Sequence, residues 1–134
     1  MRTIKSNELI SQLVEALKDI NINIKKDVKE SFNKLRDESN NELEQIVLSE
    51  LIDNAEYAHT VSLPLCQDTG IVIAFVEIGN EVLIDNTLQN IIDTAVRICY
   101  KDNFFRKSIV KDPLNRINTM DNTPSIVHIK QVEG

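Results

Sequence analysis

Chemistry-bearing side chains gather in one short stretch, Pro64-Leu65-Cys66-Gln67-Asp68-Thr69-Gly70, where a thiol, an amide, a carboxylate and a hydroxyl precede an apolar run. A thiolate in a loop at a strand end can ligate a soft metal or a cluster. The same residues also describe a small turn capped by Asp68 and Thr69, with Cys66 as a small buried hydrophobe. One cysteine holds no metal by itself, and the chain has no CxxC, no HExxH and no histidine within four residues of Cys66. Cys99 falls on the apolar face of a helical pattern, which is a packing position. His59 and His128 stand isolated and are given no role.

Charge supplies a second signal. The 134 residues carry a net charge of −6, yet the segment 97–116 reverses the sign, with Arg97, Lys101, Arg106, Lys107, Lys111 and Arg116 against Asp102 and Asp112. The preceding segment, 66–96, holds five acids and no base. A basic island in an acidic chain is either a solvated face or an anion site, since a local positive patch steers a dianion whatever the global charge. The global balance argues against a nucleic-acid binder, because phosphate contacts need a basic face. Glycines stand only at Gly70, Gly79 and Gly134, which excludes a Rossmann fingerprint and a P-loop.

The elements that must position these residues follow from periodicity. Residues 1–60 read as helices: Leu9, Ile10, Leu13, Val14 and Leu17 recur at helical spacing behind a cap at Ser6 or Asn7. Val28, Phe32 and Leu35 mark a second helix stopped near Ser39-Asn40-Asn41, and Leu43, Ile46, Val47, Leu51, Ile52, Ala55 and Ala58 form one side of a third. After Pro64 the character changes. The β-branched run Ile71–Val76 reads as a strand buried on both faces, and Gly79-Asn80 followed by Val82-Leu83-Ile84 predicts a hairpin. Asn86 and Gln89 resemble a capping box for a helix that turns Leu88, Ile91, Ile92, Ala95, Val96 and Cys99 inward. Residues 102–124 form a long loop of the kind that often carries function, and Ser125–Val132 a final strand.

The expected fold is therefore α+β: one domain over 1–134, with an N-terminal helical layer (1–60) followed by a small mixed sheet with a packed helix (61–134). The chain ends on a strand with an open edge, which predicts a continuation in the native protein. The absence of an apolar run of bilayer length, the polar start Met1–Asn7 and the scarcity of cysteine predict a cytoplasmic protein that contacts neither membrane nor nucleic acid.

The paired motifs PLCQDTG (64–70) and RKSIVKDPLNRINTMDNTPS (106–125), with Leu51–Glu56 upstream, resemble the N-terminal part of the alpha subunit of class I, iron–sulfur-dependent fumarate hydratases. The L(+)-tartrate dehydratase alpha subunit shares the pattern. The resemblance implies that Cys66 is one of three cysteines holding a [4Fe–4S] cluster, whose open iron acts as a Lewis acid on substrate oxygens. It implies that Gln67, Asp68 and Arg106 bind a dicarboxylate, fumarate/malate or tartrate, with the Arg106 fork pairing a carboxylate. The other two cysteines and the proton-transfer residues fall outside this chain, so the resemblance places no catalytic residue within it. It implies as partners the remainder of the alpha subunit and a beta subunit, in an oligomer. One departure is Met120, where the family usually has glycine. The expected function is a component of a hydro-lyase, inactive as an isolated fragment. The alternative is a non-catalytic dicarboxylate-binding or assembly module retaining the family fold.

Overall fold

Helical periodicity governs the first half of the chain and strand alternation enters only in the second, and the computed structural model, which describes residues 2–134, follows that division except at Arg2–Ile4, a short strand within the stretch 1–60 expected to be helical. The elements run β1 (Arg2–Ile4), α1 (Ser6–Ile22), α2 (Lys26–Glu38), α3 (Glu42–Val61), β2 (Ile73–Gly79), β3 (Val82–Ile84), α4 (Leu88–Asp102) and β4 (Ile126–Val132). The chain divides into two compact units, Asp19–Gln67 and the residues up to Lys18 together with Asp68–Gly134. The expected α+β class is the observed one.

In the unit Asp19–Gln67, Asn41 starts α3 by accepting from the Leu43 and Glu44 amides at 3.0 and 3.4 Å. These are donors that no intrahelical carbonyl can reach. The buried stripe of α3 is Leu48, Ile52, Ala55 and Ala58. That differs from the expected face: Ile52, Ala55 and Ala58 are inside, whereas Leu43, Ile46, Val47 and Leu51 are exposed. The helix carries more apolar residues than one stripe can hold, and periodicity alone does not choose among adjacent stripes. An ion pair between Lys29 and Glu56 (2.9 Å) ties α2 to α3. The ammonium of Lys29 hydrogen-bonds the Glu56 carboxyl and holds its pKa below the ordinary value.

The other unit is organised by α4. Its inward face buries Ile91, Ile92, Asp93, Ala95, Val96, Cys99 and Tyr100, and Phe105 closes over Tyr100 edge-on at 5.5 Å. The cap is Thr87, whose hydroxyl accepts from the Asn90 amide (3.3 Å). The expected Asn86–Gln89 box does not form, because the Gln89 amide turns away to the side chain of Asp93 and to Ser125.

The strands correct the expected sheet. Among the described residues they form two two-stranded sheets, both parallel, in place of one mixed sheet. β2 pairs with β4 in the register Ile73↔Ile126 to Gly79↔Val132. β3 pairs with β1, Arg2↔Val82 to Ile4↔Ile84, and so makes no hairpin with β2. The chain does turn at Asn80, but the Asn80 and Glu81 amides donate to the carbonyls of Val132 and Gly134, which draws the turn toward β4. β2 is not buried on both faces: its residues alternate, and Phe75 is 81% exposed. A two-stranded sheet presents an outward row, Ile73/Ile126, Phe75/His128 and Glu77/Lys130, in which the second pair stacks at 4.9 Å and the third is ion-paired at 2.7 Å.

Asp85, just past β3, accepts from the Ser6 amide (2.8 Å) and so caps α1 from 79 residues away. Hydrogen bonds from the Ser6 side chain and backbone lower its pKa.

The Cys99 thiol sits in the α4 core, and burial pushes its pKa up to about 11. The folded chain thus holds this proton more tightly than the unfolded chain, whose thiol titrates at 9.0. The stabilisation is complete below pH 9 and is lost as pH rises toward 11, to an extent of about 3 kcal/mol. Urea unfolding of wild type and Cys99→Ala across this range should show a steeper alkaline loss in wild type; parallel pH profiles would contradict it.

Candidate functional site

Two loops carry the residues singled out above, and side-chain hydrogen bonds to backbone build both. In the first, Gly70 has a φ of 64°, a left-handed conformation that favours glycine. The Asp68 carboxylate reaches forward to accept from the Gly70 amide (3.0 Å). The capped turn that the residues suggest is therefore present, and its cap is Asp68. Thr69 turns the other way: its hydroxyl donates to the Arg106 carbonyl (3.1 Å), and its own carbonyl accepts from the Tyr100 hydroxyl (2.9 Å).

The second loop, between α4 and β4, has more structure than its composition implies. Val110 and Asn118 form an antiparallel bridge, and the Lys111 and Thr119 amides donate to the carbonyls of Ile117 and Ile109. Asp112 turns the tip by accepting from the Leu114 and Asn115 amides, both at 2.9 Å. Hydrogen bonds from the Asn115 backbone and side chain, with a further one from Leu114, lower its carboxyl pKa. Asn118 accepts from the Met120 amide (2.6 Å) and donates to the Lys107 carbonyl (2.8 Å). Asp121 pairs with Arg97 (3.0 Å) and accepts from the Thr123 amide and hydroxyl. Burial works to raise the Asp121 pKa, but the hydrogen bonds from Thr123 and Arg97 outweigh it and leave the value lowered.

These two loops meet. The guanidinium of Arg106 lies 3.9 Å from the Asp68 carboxylate, and both side chains are exposed. Behind them is Asn122, with 0% of its surface exposed. Its amide nitrogen donates to the Gly70 carbonyl (3.1 Å) and its oxygen accepts from the Ser108 amide (2.8 Å). One turn further, buried Asp93 accepts from the Ser125 amide and hydroxyl (2.8 and 2.6 Å), fixing the start of β4 to α4. Sequence reasoning gave Thr69 only a share in capping the turn and assigned no role to Tyr100, Asn122 or Asp93. Asn122 lay within the quoted motif, but a buried bridging amide has no signature in a single sequence.

Of the expected site residues, the structure brings Asp68 and Arg106 together. Cys66 and Gln67 are exposed at the end of the unit Asp19–Gln67. The Leu65 backbone before them is held within that unit, its amide donating to the Asn21 carbonyl (2.8 Å) and its carbonyl accepting from Asn54 (3.0 Å). Cys66 is exposed and is therefore not the buried hydrophobe of the packing alternative. Among the described residues, however, no group of three or more His, Cys, Asp and Glu side chains is placed to hold a metal ion. Cys99 is buried and supplies no second ligand. The donor set of this chain thus does not by itself fit a four-iron cluster. No helix among the described residues is long and apolar enough to cross a membrane.

A model of the family described as fumarate hydratase (Fumerase) matches residues 10–134. A candidate L(+)-tartrate dehydratase subunit alpha of Methanocaldococcus jannaschii is 29% identical over 112 residues, which is 82% of this chain and 39% of that protein. The L(+)-tartrate dehydratase subunit alpha of Escherichia coli (strain K12) is 29% identical over 107 residues, 74% of this chain and 32% of the relative. Its counterpart in Shigella boydii serotype 4 matches to the same extent. The chain therefore spans 39% or less of the length of these relatives.

Two predictions follow from the loops. Met120 has a φ of 67° and is 74% exposed, so its side chain suffers the left-handed conformation and contributes little packing. Met120→Gly should raise the unfolding free energy by about 1 kcal/mol, read as a higher urea midpoint; an unchanged or lower midpoint would contradict this. In the native chain a thiol reagent should modify Cys66 at once and Cys99 only on unfolding, and two equally fast thiols would refute the burial assigned to Cys99.

Proposed function

This chain belongs to the fumarate hydratase (Fumerase) family, and from that premise we propose that it is part of the alpha subunit of an iron–sulfur hydro-lyase. The reaction is the reversible hydration of fumarate to malate, or the corresponding dehydration of L(+)-tartrate. In this reading Cys66 gives one ligand to a [4Fe–4S] cluster, and Gln67, Asp68 and Arg106 bind the dicarboxylate. The remainder of an alpha subunit and a beta subunit complete the ligand set and supply the proton-transfer groups.

The observation that supports the reading best is the juncture of the two motifs. Arg106 stands exposed beside Asp68, at 3.9 Å, too long for a strong hydrogen bond. The fork is thus only loosely engaged, and an incoming carboxylate offers it a shorter, bidentate pairing. Repulsion between that carboxylate and Asp68 then sets where the substrate's charge can lie. Charge in the surrounding segment favours a dianion: residues 97–116 carry six bases against two acids. Gln67 adds an amide able both to donate and to accept, which suits a hydroxyl or carboxylate oxygen.

A second reading rests on the donor set. With one exposed cysteine and no metal-binding group among the described residues, the chain alone would act as a dicarboxylate-binding or assembly module. The two readings separate in one experiment. In the enzyme assembled with its partner regions, Cys66→Ser should abolish turnover and lower the iron content, while the chain alone should be inactive in both forms. Full turnover in the assembled Cys66→Ser enzyme would overturn the hydro-lyase role of Cys66 and leave the binding module.

A further inference from the structure

We propose that Asn122 is a positioning residue for Asp68 and Arg106, fixing the arrangement in which they meet a carboxylate; the inference rests on the dicarboxylate reading above. Asn122 is fully buried, and its backbone is left-handed at φ 61°, a conformation that asparagine tolerates better than most residues. It spends both ends of its amide on backbone groups that belong to different motifs. The nitrogen holds the carbonyl of Gly70, 52 residues away, and the oxygen holds the amide of Ser108, 14 residues away.

Each of those groups sits next to a site residue. The Gly70 amide is the donor that fixes the Asp68 carboxylate. Ser108 lies two residues past Arg106, whose carbonyl is held in turn by the Thr69 hydroxyl. The bonds close a ring through Asp68, Gly70, Asn122, Ser108, Arg106 and Thr69. Within it, Asn122 alone touches both loops through one rigid planar group. Aspartate lacks the donor for Gly70, and glycine lacks both partners while keeping the φ. The pair it serves is itself exposed and weakly joined, so its geometry comes from the buried layer beneath.

The test is a titration of the 134-residue chain with fumarate, comparing wild type, Asn122→Gly, Arg106→Lys and the double variant. Asn122→Gly should bind about tenfold more weakly, the loss of roughly one good hydrogen bond's worth of geometry. In the Arg106→Lys background the same substitution should add little, because a residue that acts through the Arg106 fork loses its effect with the fork. Amide exchange should accelerate at Ser108 and stay unchanged in α4, which separates local loosening from general destabilisation. Asn122→Ser replaces the amide by a short neutral side chain without burying a charge, at a φ that Ser62 already adopts in this chain (56°); it should show the same loss, and it carries the comparison if the glycine variant does not fold. Wild-type affinity in Asn122→Gly, or a loss that adds in full to that of Arg106→Lys, overturns the positioning role alone. A wild-type chain that shows no saturable fumarate binding at millimolar ligand overturns dicarboxylate binding by this chain alone and this inference with it, while the Cys66→Ser comparison in the assembled enzyme still decides the hydro-lyase reading.

Discussion

The amide of Asn122 is the constraint on which the candidate site depends. Gly70 and Ser108 lie on separate loops, and a carbonyl and an N–H in part-buried positions each cost free energy if left without a partner. A single planar side chain satisfies both and so sets the separation of the loops. The surrounding bonds repeat the pattern of side chain to distant backbone: Tyr100 to Thr69, Thr69 to Arg106, Gln89 and Asp93 to Ser125.

This arrangement explains why α4 is the most buried element. Its apolar face supplies the core, and its two polar intrusions, Asp93 and the Tyr100 hydroxyl, reach the ends of the two loops. Hydrophobic burial gives the unit its stability, while the buried polar contacts select one arrangement of the loops from many that would bury similar area. Arg106 and Asp68 stand on this layer, both exposed.

The helices, their order and the α+β class were legible because apolar periodicity is a local signal; α1, α2, α3 and α4 fall where Leu17, Phe32, Ile52 and Val96 imply. Strand pairing was not. The hairpin expected at Gly79-Asn80 is the local solution, whereas β2 finds its partner at Ile126–Val132, across α4 and a long loop. The three-residue β1 carries too few side chains to show alternation, and α1 is capped by Asp85 from another element, which no local capping rule anticipates. At the site, the motifs and the positive segment pointed to Asp68 and Arg106 before their proximity was known. The capped turn occupies one Asp68 oxygen with the Gly70 amide and leaves the other facing Arg106. Asn122 stayed hidden because its importance lies in two backbone partners that only the folded chain brings within reach.

The most direct measurement is a nitrogen-edited NMR titration of the chain with fumarate, following the Arg106 side-chain N–H, with acetate as the monocarboxylate control. The account predicts a saturable shift with fumarate, a weaker response to acetate, and loss of the response in Arg106→Ala. A fumarate response that persists unchanged in Arg106→Ala, or no response in wild type, would contradict the assignment of Arg106 as the carboxylate-binding residue.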